Sequence, residues 1–195
     1  LTVHLEGKKL NDHIILPGSM PERLKGDVVS VNTKWIGSLY DSSYYFNPYM
    51  EKYRVEGNVK IPFFLTPDRH YVGAAWYART VNIPKSWKNR RIVLFLERPH
   101  IETMVWINGK VAGKMNSLTT AHQYDITSFV KTGNNKICIR VYNGVENVGV
   151  GIDSHSVTDQ TQGDWNGIVG KMELQSSPIT YIRDLQVFPD IHSKV

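Results

Sequence analysis

The chain has 195 residues, of which 41% are hydrophobic and 11% aromatic, enough for one globular domain with a buried core. The net charge is +5, but basic side chains are dense only at Lys8-Lys9 and 88–91, without the interleaved aromatic residues of a single-strand binder. We therefore expect no nucleic-acid partner, and no apolar run is long enough to suggest a membrane partner.

Composition and cysteine content favour an all-β protein. Fifteen glycines and nine prolines are spread along the chain, together with ten tyrosines and five tryptophans. This composition is typical of short strands joined by turns rather than of long helices. The lone Cys138 has no second cysteine with which to form a disulfide or a zinc site, so we expect it to fill space in a strand.

The first 70 residues show little regular patterning. Residues 1–10 can form a strand, but segments 16–27 and 40–70 are irregular, interrupted by proline and rich in aromatic residues. Long irregular segments in compact domains are usually functional or packed against the core. We therefore predict that residues 1–70 form an irregular N-terminal wrap with a first strand.

Aromatic side chains are concentrated in this wrap. They are Trp35, Tyr40, Tyr44, Tyr45, Phe46, Tyr49 and Tyr53. We expect them to pack against the sandwich or to form an interdomain face, since tyrosine hydroxyls tolerate a partly solvated boundary. The alternative is a platform for carbohydrate.

From Tyr71 onward, runs of β-branched and aromatic residues recur between turn signals, as in a β-sandwich. The strongest local signal is 102–114, where Asn108-Gly109 tolerates positive φ angles and predicts a two-residue hairpin. Residues 91–97 form an almost continuous apolar run, which predicts a strand buried on both faces. Apolar and polar residues alternate in 132–143, as in a half-buried strand. Further strands are predicted at 74–84, 122–130, 169–176 and 180–188, with a short turn at 84–90.

These elements predict a single all-β domain over 1–195, an antiparallel β-sandwich of jelly-roll type. Its parts are the N-terminal wrap at 1–70 and the jelly-roll core at 71–188.

Several successive features over 71–143 are similar to those of a known family. An aromatic-rich strand ends in Ile-Pro before a Trp-containing turn; an apolar strand leads to a Trp-Ile-Asn-Gly-Lys hairpin; a Tyr-Asp-Ile-Thr segment precedes Lys-Thr-Gly-Asn-Asn. In this order they resemble the N-terminal sugar-binding domain of family 2 glycoside hydrolases, which include β-galactosidases, β-glucuronidases and β-mannosidases. An acidic, Trp-containing segment ending in Gly-Ile, here 159–168, extends the resemblance to about 188. One departure is Gly170, where family members commonly have arginine.

The resemblance implies a galactose-binding-domain-like jelly roll without catalytic residues of its own. Catalysis in the family belongs to a pair of glutamates on a separate (β/α)-barrel, which typically needs about 250 residues. We therefore expect this chain to be part of a longer glycoside hydrolase, acting beside its remaining domains, with residues 189–195 as the exit toward a following domain. Location in the periplasm or outside a bacterial cell follows from the family alone.

The candidate site is the polar loop at 148–170, which has neither a helical nor a strand period. A pyranose offers an apolar face and a fringe of hydroxyls, so its site needs an aromatic ring and short polar side chains. The loop residues that supply this mixture are Asp153, His155, Asp159, Gln160, Asp164, Trp165 and Asn166. Two alternatives remain: Trp165 plugs the end of the sandwich while Asp and Ser cap turns, or the loop completes an active site on the barrel.

Catalytic, metal and cofactor roles have less support. A retaining glycosidase needs two carboxyls about 5–5.5 Å apart, and no spacing marks two of the loop aspartates as such a pair. His155 has no neighbouring histidine at metal-ligand spacing, and the loop aspartates, which could hold Ca²⁺, are not spaced as in an EF-hand. We therefore predict a non-catalytic carbohydrate-binding domain without metal or cofactor; the rival interpretation is a structural module that braces a neighbouring domain.

Overall fold

The computed structural model describes residues 3–5, 8–10, 12–36, 43–60, 65–151, 153–155, 157–159 and 163–189. Within these ranges the strands are β1 (Val3–Leu5), β2 (Lys8–Leu10), β3 (Gly18–Ser19), β4 (Asp27–Val28), β5 (Arg69–His70), β6 (Ala74–Ile83), β7 (Arg91–His100), β8 (Glu102–Ile107), β9 (Lys110–Asn116), β10 (His122–Asp125), β11 (Gly133–Tyr142) and β12 (Gly167–Ser177). A single-turn helix, α1 (Ser43–Phe46), and 3-10 turns at Pro21–Arg23, Pro48–Tyr53 and Lys85–Trp87 complete the set. None of the described helices is long and apolar enough to cross a membrane.

Two four-stranded antiparallel sheets form the sandwich. The β7 sheet has the order β10-β7-β12-β3, and the β11 sheet has the order β6-β11-β8-β9. Two short antiparallel ribbons, β1-β2 and β4-β5, lie in the N-terminal part. The all-β, jelly-roll-type sandwich predicted from the sequence is confirmed.

The core lies between the two sheets and follows the alternation seen in the sequence. Ile137, Ile139 and Val141 of β11 are buried in it, whereas Lys136 is exposed. On β7, Val93 and Leu94 are consecutive and both buried, so this strand is covered on both faces, as its continuous apolar run predicts. The burial of such side chains is the main driving force for folding.

The predicted hairpin joins β8 to β9. Asn108 and Gly109 adopt φ angles of 51° and 83°, the positive values that a two-residue turn of this kind requires. The Asn108 side chain also accepts a hydrogen bond from the Lys136 backbone N–H at 2.9 Å, which attaches the turn to β11.

Two strand predictions are wrong. The described residues of the 1–10 segment form two strands, β1 and β2, which pair in an antiparallel ribbon, rather than one strand. Residues 180–188 contain no strand, because β12 ends at Ser177 and the segment beyond it pairs with neither sheet. An alternating pattern predicts an extended backbone, but a strand forms only where another strand supplies hydrogen bonds.

The N-terminal wrap touches the sandwich at its edge and also has a small cluster of its own. β3 pairs with β12, and the segment around it borders an apolar cavity of about 360 Å³ beside β6. Farther along, Tyr44 is buried against Trp35, Met50 and Tyr53. Phe46 and Tyr49 of the predicted aromatic group are more than four-fifths exposed, and Tyr40 lies outside the described residues.

Gly170 lies in a β-bulge of β12, at the position where the sequence departs from the family resemblance. Pairing with β7 shifts register between Val169 and Met172, and Gly170 has a φ of +75°. A Cβ at this position would stand 2.6 Å from the Glu97 carboxylate, which accepts a hydrogen bond from the Lys171 backbone N–H at 2.7 Å. The bulge therefore favours glycine on both conformational and steric grounds.

Candidate functional site

Residues 167–170 of the predicted polar loop belong to β12, because that strand begins at Gly167. The loop of the structure therefore spans 143–166: it leaves β11 at Asn143 and returns to the sandwich at Asn166. No helix or strand occurs in it among the residues that the structure describes. Both asparagines are 0% exposed. Buried amides must find hydrogen-bond partners, and these two do so by joining the loop to the ends of neighbouring strands.

Asn166 is the centre of this buried network. Its Oδ1 accepts a hydrogen bond from the Tyr77 hydroxyl at 2.8 Å, and burial raises the pKa of that hydroxyl. Its Nδ2 donates to the carbonyls of Gly73 and Val141, at 2.9 and 3.0 Å, and lies 3.3 Å from Asn143 Oδ1. One side chain therefore joins the loop, β6 and β11.

Asn143 and Asp164 extend the network toward the loop. Asn143 Oδ1 accepts from the Gly73 N–H at 2.9 Å, and its Nδ2 donates to the Tyr71 carbonyl at 2.7 Å and to Asp164 Oδ2 at 2.5 Å. The other Asp164 oxygen lies 3.1 Å from His100 Nε2. Asp164 therefore uses both carboxylate oxygens inside the protein.

Asp159 holds the loop against the N-terminal wrap. Its Oδ1 accepts from the Asp164 N–H at 2.7 Å, and its Oδ2 accepts from the Ile36 N–H at 2.5 Å. His70 Nε2 lies 3.8 Å from the same Oδ2, an ion-pair distance rather than a hydrogen bond. Beneath these polar contacts, the apolar side chains of Ile36, Ile101, Val145 and Val157 form a second buried cluster.

Trp165 is half-buried beside this network. Its ring stacks on His100 with the ring centroids 4.6 Å apart and an interplanar angle of 17°. Because His100 also contacts Asp164, the tryptophan is oriented by a buried polar pair. The ring is neither wholly buried as a plug nor wholly exposed.

The seven predicted site residues fall into three groups. Asp159, Asp164 and Asn166 are buried and hydrogen-bonded within the domain; Trp165 is half-buried; Asp153 and His155 are exposed on the loop. Gln160 lies outside the described residues. Their role in binding carbohydrate stays a prediction.

Sequence reasoning missed His70, His100, Asn143 and Tyr77, which hold the loop in place. They lie at strand ends or within β6, where the sequence shows only an ordinary strand pattern. Asn143, at the junction of β11 and the loop, was the one accessible signal, because a strand end followed by a polar loop often carries side chains that bind backbone groups.

The buried carboxylates do not form a hydrolytic pair in this domain. Asp159 and Asp164 both accept backbone or side-chain hydrogen bonds and have almost no exposed surface. Among residues 12–36, 43–60, 65–151 and the described parts of the loop, no three His, Cys, Asp or Glu side chains are grouped to hold a metal. What the arrangement provides is a rigid support for Trp165 and the exposed loop residues.

Burial raises the pKa of Asp164, and the hydrogen bond and charge of His100 only partly oppose this effect. A carboxyl group whose pKa is higher in the folded than in the unfolded state stabilises the protein at pH values below the unfolded-state pKa, about 3.9. This stabilisation is lost as pH rises through the folded-state pKa. Replacing Asp164 with asparagine removes the ionisable carboxyl group and keeps a side-chain oxygen that can accept the hydrogen bond from Asn143. We expect D164N to gain stability relative to the unmodified chain as pH rises from 4 to 7, measured by urea denaturation.

Asp125 supplies a control of opposite sign for this experiment. Burial acts to raise the pKa of Asp125, but hydrogen bonds from Thr127 and the charge of Arg91 outweigh it and lower the pKa. Because the unfolded-state pKa is about 3.9, D125N should lose stability relative to the unmodified chain as pH rises toward about 5, and the difference between the two should stay nearly constant above that. If the free energy of unfolding of D164N and of the unmodified chain changed with pH in parallel, the raised pKa of Asp164 would be contradicted.

The chain is similar to several known proteins. The family model for "Glycosyl hydrolases family 2, sugar binding domain" matches residues 18–178. A β-galactosidase of Priestia megaterium is 29% identical over 84% of this chain, and the large subunit of a Leuconostoc lactis β-galactosidase is 23% identical over 91%. A Bacteroides uniformis β-glucuronidase structure aligns over 55% of this chain and 12% of its own, with 28% identity and a TM-score of 0.48. The chain spans 15% and 26% of the two β-galactosidases.

Proposed function

The chain belongs to the sugar-binding domains of glycosyl hydrolase family 2, and from this premise we propose that it is a non-catalytic carbohydrate-recognition module of a β-galactosidase-like enzyme. The observation that supports the proposal is that contacts within the domain fix the orientation of the Trp165 ring. Its ring stacks on His100, which is fixed by Asp164, so a carbohydrate would meet a prearranged ring. Prearrangement favours binding because less conformational freedom is lost on association.

The exposed loop residues provide the polar part of the proposed site. Asp153 and His155 are both exposed, on the loop that carries Trp165. A carboxylate accepts hydrogen bonds from sugar hydroxyls, and an imidazole can donate or accept. The buried members of the predicted set, Asp159, Asp164 and Asn166, act as supports rather than as sugar contacts.

Hydrolysis is assigned to another part of the enzyme. Both buried loop aspartates are engaged inside the domain, whereas glycoside hydrolysis needs two carboxyls facing one sugar. The relatives named β-galactosidase are several times longer than the matched region. We propose that this domain contributes sugar contacts beside a catalytic domain, on a β-galactoside or related glycan.

A second candidate function is bracing of a neighbouring domain. The segment that follows β12 has three apolar side chains that are at least three-quarters exposed: Ile182, Leu185 and Phe188. In the same segment, Gln186 Nε2 donates a hydrogen bond to Asp184 Oδ2 at 2.8 Å. Exposed apolar surface of this kind is typical of interfaces between domains. In this interpretation the domain positions its neighbour and has no sugar affinity of its own.

The test is an NMR titration of the 195-residue chain with galactose, glucuronic acid, mannose and a β-galactoside, following the tryptophan indole N–H signals. We expect the Trp165 signal, assigned with Trp165→Ala, to shift saturably with one sugar, with a Kd near ~1 mM, or about −4 kcal/mol. Trp87→Ala, at the 3-10 turn far along the chain from the loop, is the matched control and should leave binding unchanged. The absence of any shift at tens of millimolar sugar would reject autonomous binding and favour the bracing function.

We further propose a periplasmic or extracellular location in a bacterium, on the basis of the family alone. Fractionation of producing cells, followed by detection of the full-length protein, tests this assignment.

A further inference from the structure

The outward face of the β11 sheet carries a second group of residues suited to carbohydrate, separate from the loop. Pairing registers place side chains on this face in rows across β6, β11, β8 and β9. One row is apolar throughout and consists of Ala78, Cys138, Trp106 and Val111. The adjacent row consists of Trp76, Arg140, Met104 and Lys114.

Two tryptophans from adjacent rows meet across β11. The ring centroids of Trp76 and Trp106 are 4.9 Å apart with an interplanar angle of 32°, and both side chains are partly exposed. A core residue would be expected to point between the sheets, but these two lie on the opposite side from Ile137 and Ile139. The pair therefore forms an aromatic surface outside the hydrophobic core.

Cations stand on both sides of the tryptophan pair. Along β11, Lys136 and Arg140 precede and follow Cys138 on the same face, and Lys114 lies on β9. Glu102, which lies in the next row opposite Tyr142, is bound by Lys114 at 2.7 Å and by Arg140 at 2.8 Å. These four charged residues leave a net positive surface beside the aromatic pair.

Glu102 stays ionised and keeps the two cations in place. Burial acts to raise the pKa of Glu102, but hydrogen bonds from Lys114 and Arg140 outweigh it and hold the pKa below its ordinary value. Arg140 also lies over the Tyr142 ring, 5.0 Å from its centroid. The hydroxyl of Tyr142 donates to Glu146 in the loop, so a second acid lies beyond the end of the strand.

From this arrangement we propose that the outward face of the β11 sheet binds an acidic glycan, one that carries carboxylate or sulfate groups. Trp76 and Trp106 stack on the apolar faces of sugar rings. Lys136, Arg140 and Lys114 attract the anionic groups by charge complementarity. Trp76 and Trp106 meet on the β11 sheet, whereas Trp165 stacks on His100 at the end of β7 in the other sheet, so the two sites are distinct.

The experiment titrates the 195-residue chain with three tetrasaccharides, one of uronic acids, one of sulfated galactose and one of uncharged galactose. The indole N–H signals report each site separately. We expect saturable shifts of Trp76 and Trp106 with a charged tetrasaccharide, and about tenfold weaker binding after Trp106→Ala. Trp87→Ala, at the 3-10 turn before β7 and outside both proposed sites, should leave this binding unchanged.

Charge variants keep the test valid if tryptophan variants fold poorly. Lys136→Gln and Lys114→Gln change exposed side chains, and each should weaken binding of the charged ligand about threefold at low salt. Lys88→Gln, at the exposed turn before β7, is the matched control and should have no effect. Amide spectra of every variant establish that the fold is retained.

The outcomes separate this proposal from the function of the loop. Equal binding of the charged and uncharged tetrasaccharides would overturn the acidic class of ligand. Shifts confined to Trp165 would overturn the second site and leave the proposed function of the domain intact. No shift of Trp76 or Trp106 with any of the three would overturn the proposal.

Discussion

Replacing Asn166 with alanine is expected to lower the free energy of unfolding by about 3 kcal/mol. The substitution removes both the acceptor of the Tyr77 hydroxyl and the donor to the Gly73 and Val141 carbonyls. Each of these groups would then be left buried without its partner, which costs more than the loss of an exposed hydrogen bond. Urea denaturation followed by tryptophan fluorescence measures the change.

Asn147 provides a matched control in the same loop. Its side chain is exposed, and the contact that it makes with Asn116 uses its backbone carbonyl, which alanine retains. Asn147→Ala should change stability by less than about 0.5 kcal/mol. Similar losses for both variants would show that the network around Asn166 is not the source of the effect.

Gly167→Ala is the second large expected effect, a loss of at least about 3 kcal/mol. Gly167 begins β12 with a φ of +153°, opposite Ser19 of β3. A Cβ at this position would stand 2.4 Å from the Gly18 carbonyl oxygen, which is backbone and cannot rotate away. We expect β3 to separate from β12, and hydrogen exchange of the Ser19 and Ile168 amides should accelerate together with the loss of stability.

Gly133→Ala is a control that measures the conformational cost of a side chain at a positive φ without the steric cost of a close contact. Gly133 has a φ of +90°, but a Cβ there would meet no atom within 4 Å. Gly133→Ala should therefore cost only about 1 kcal/mol, the price of a positive φ for a residue with a side chain. If Gly167→Ala cost no more than Gly133→Ala, close packing of β3 on β12 would not be the reason for glycine at 167.

Local patterns predicted the sandwich part of the fold well. The Asn108-Gly109 turn and the alternation along β11 depend on neighbouring residues and on one buried face, so both could be predicted from short stretches. The 180–188 prediction failed for the complementary reason. That segment has the alternation of a strand, but no strand in the part of the chain that the structure describes pairs with it.

The candidate loop was located correctly in the chain, but the burial of its members could not be predicted. Asn166 bonds Tyr77, 89 residues away, and Asp159 bonds the backbone of Ile36, 123 residues away. The residues that flank a polar side chain in the sequence do not show whether distant backbone groups will form hydrogen bonds with it in the folded protein. Asp153 and Asp159 look alike in the sequence, yet one is exposed and the other is buried.

The fold class, the β8–β9 hairpin, the core face of β11 and membership of the family 2 sugar-binding domains could all be predicted from the amino-acid sequence. These properties depend on the residue types at successive positions, so each can be inferred from a single segment. The folded structure was needed to show that Asp164 and Asn166 support the loop, that His100 orients Trp165, and that Trp76 and Trp106 meet on the outward face of a sheet. Those contacts join strands that are distant in the chain, and sheet register, which sets them, forms only when the whole domain folds.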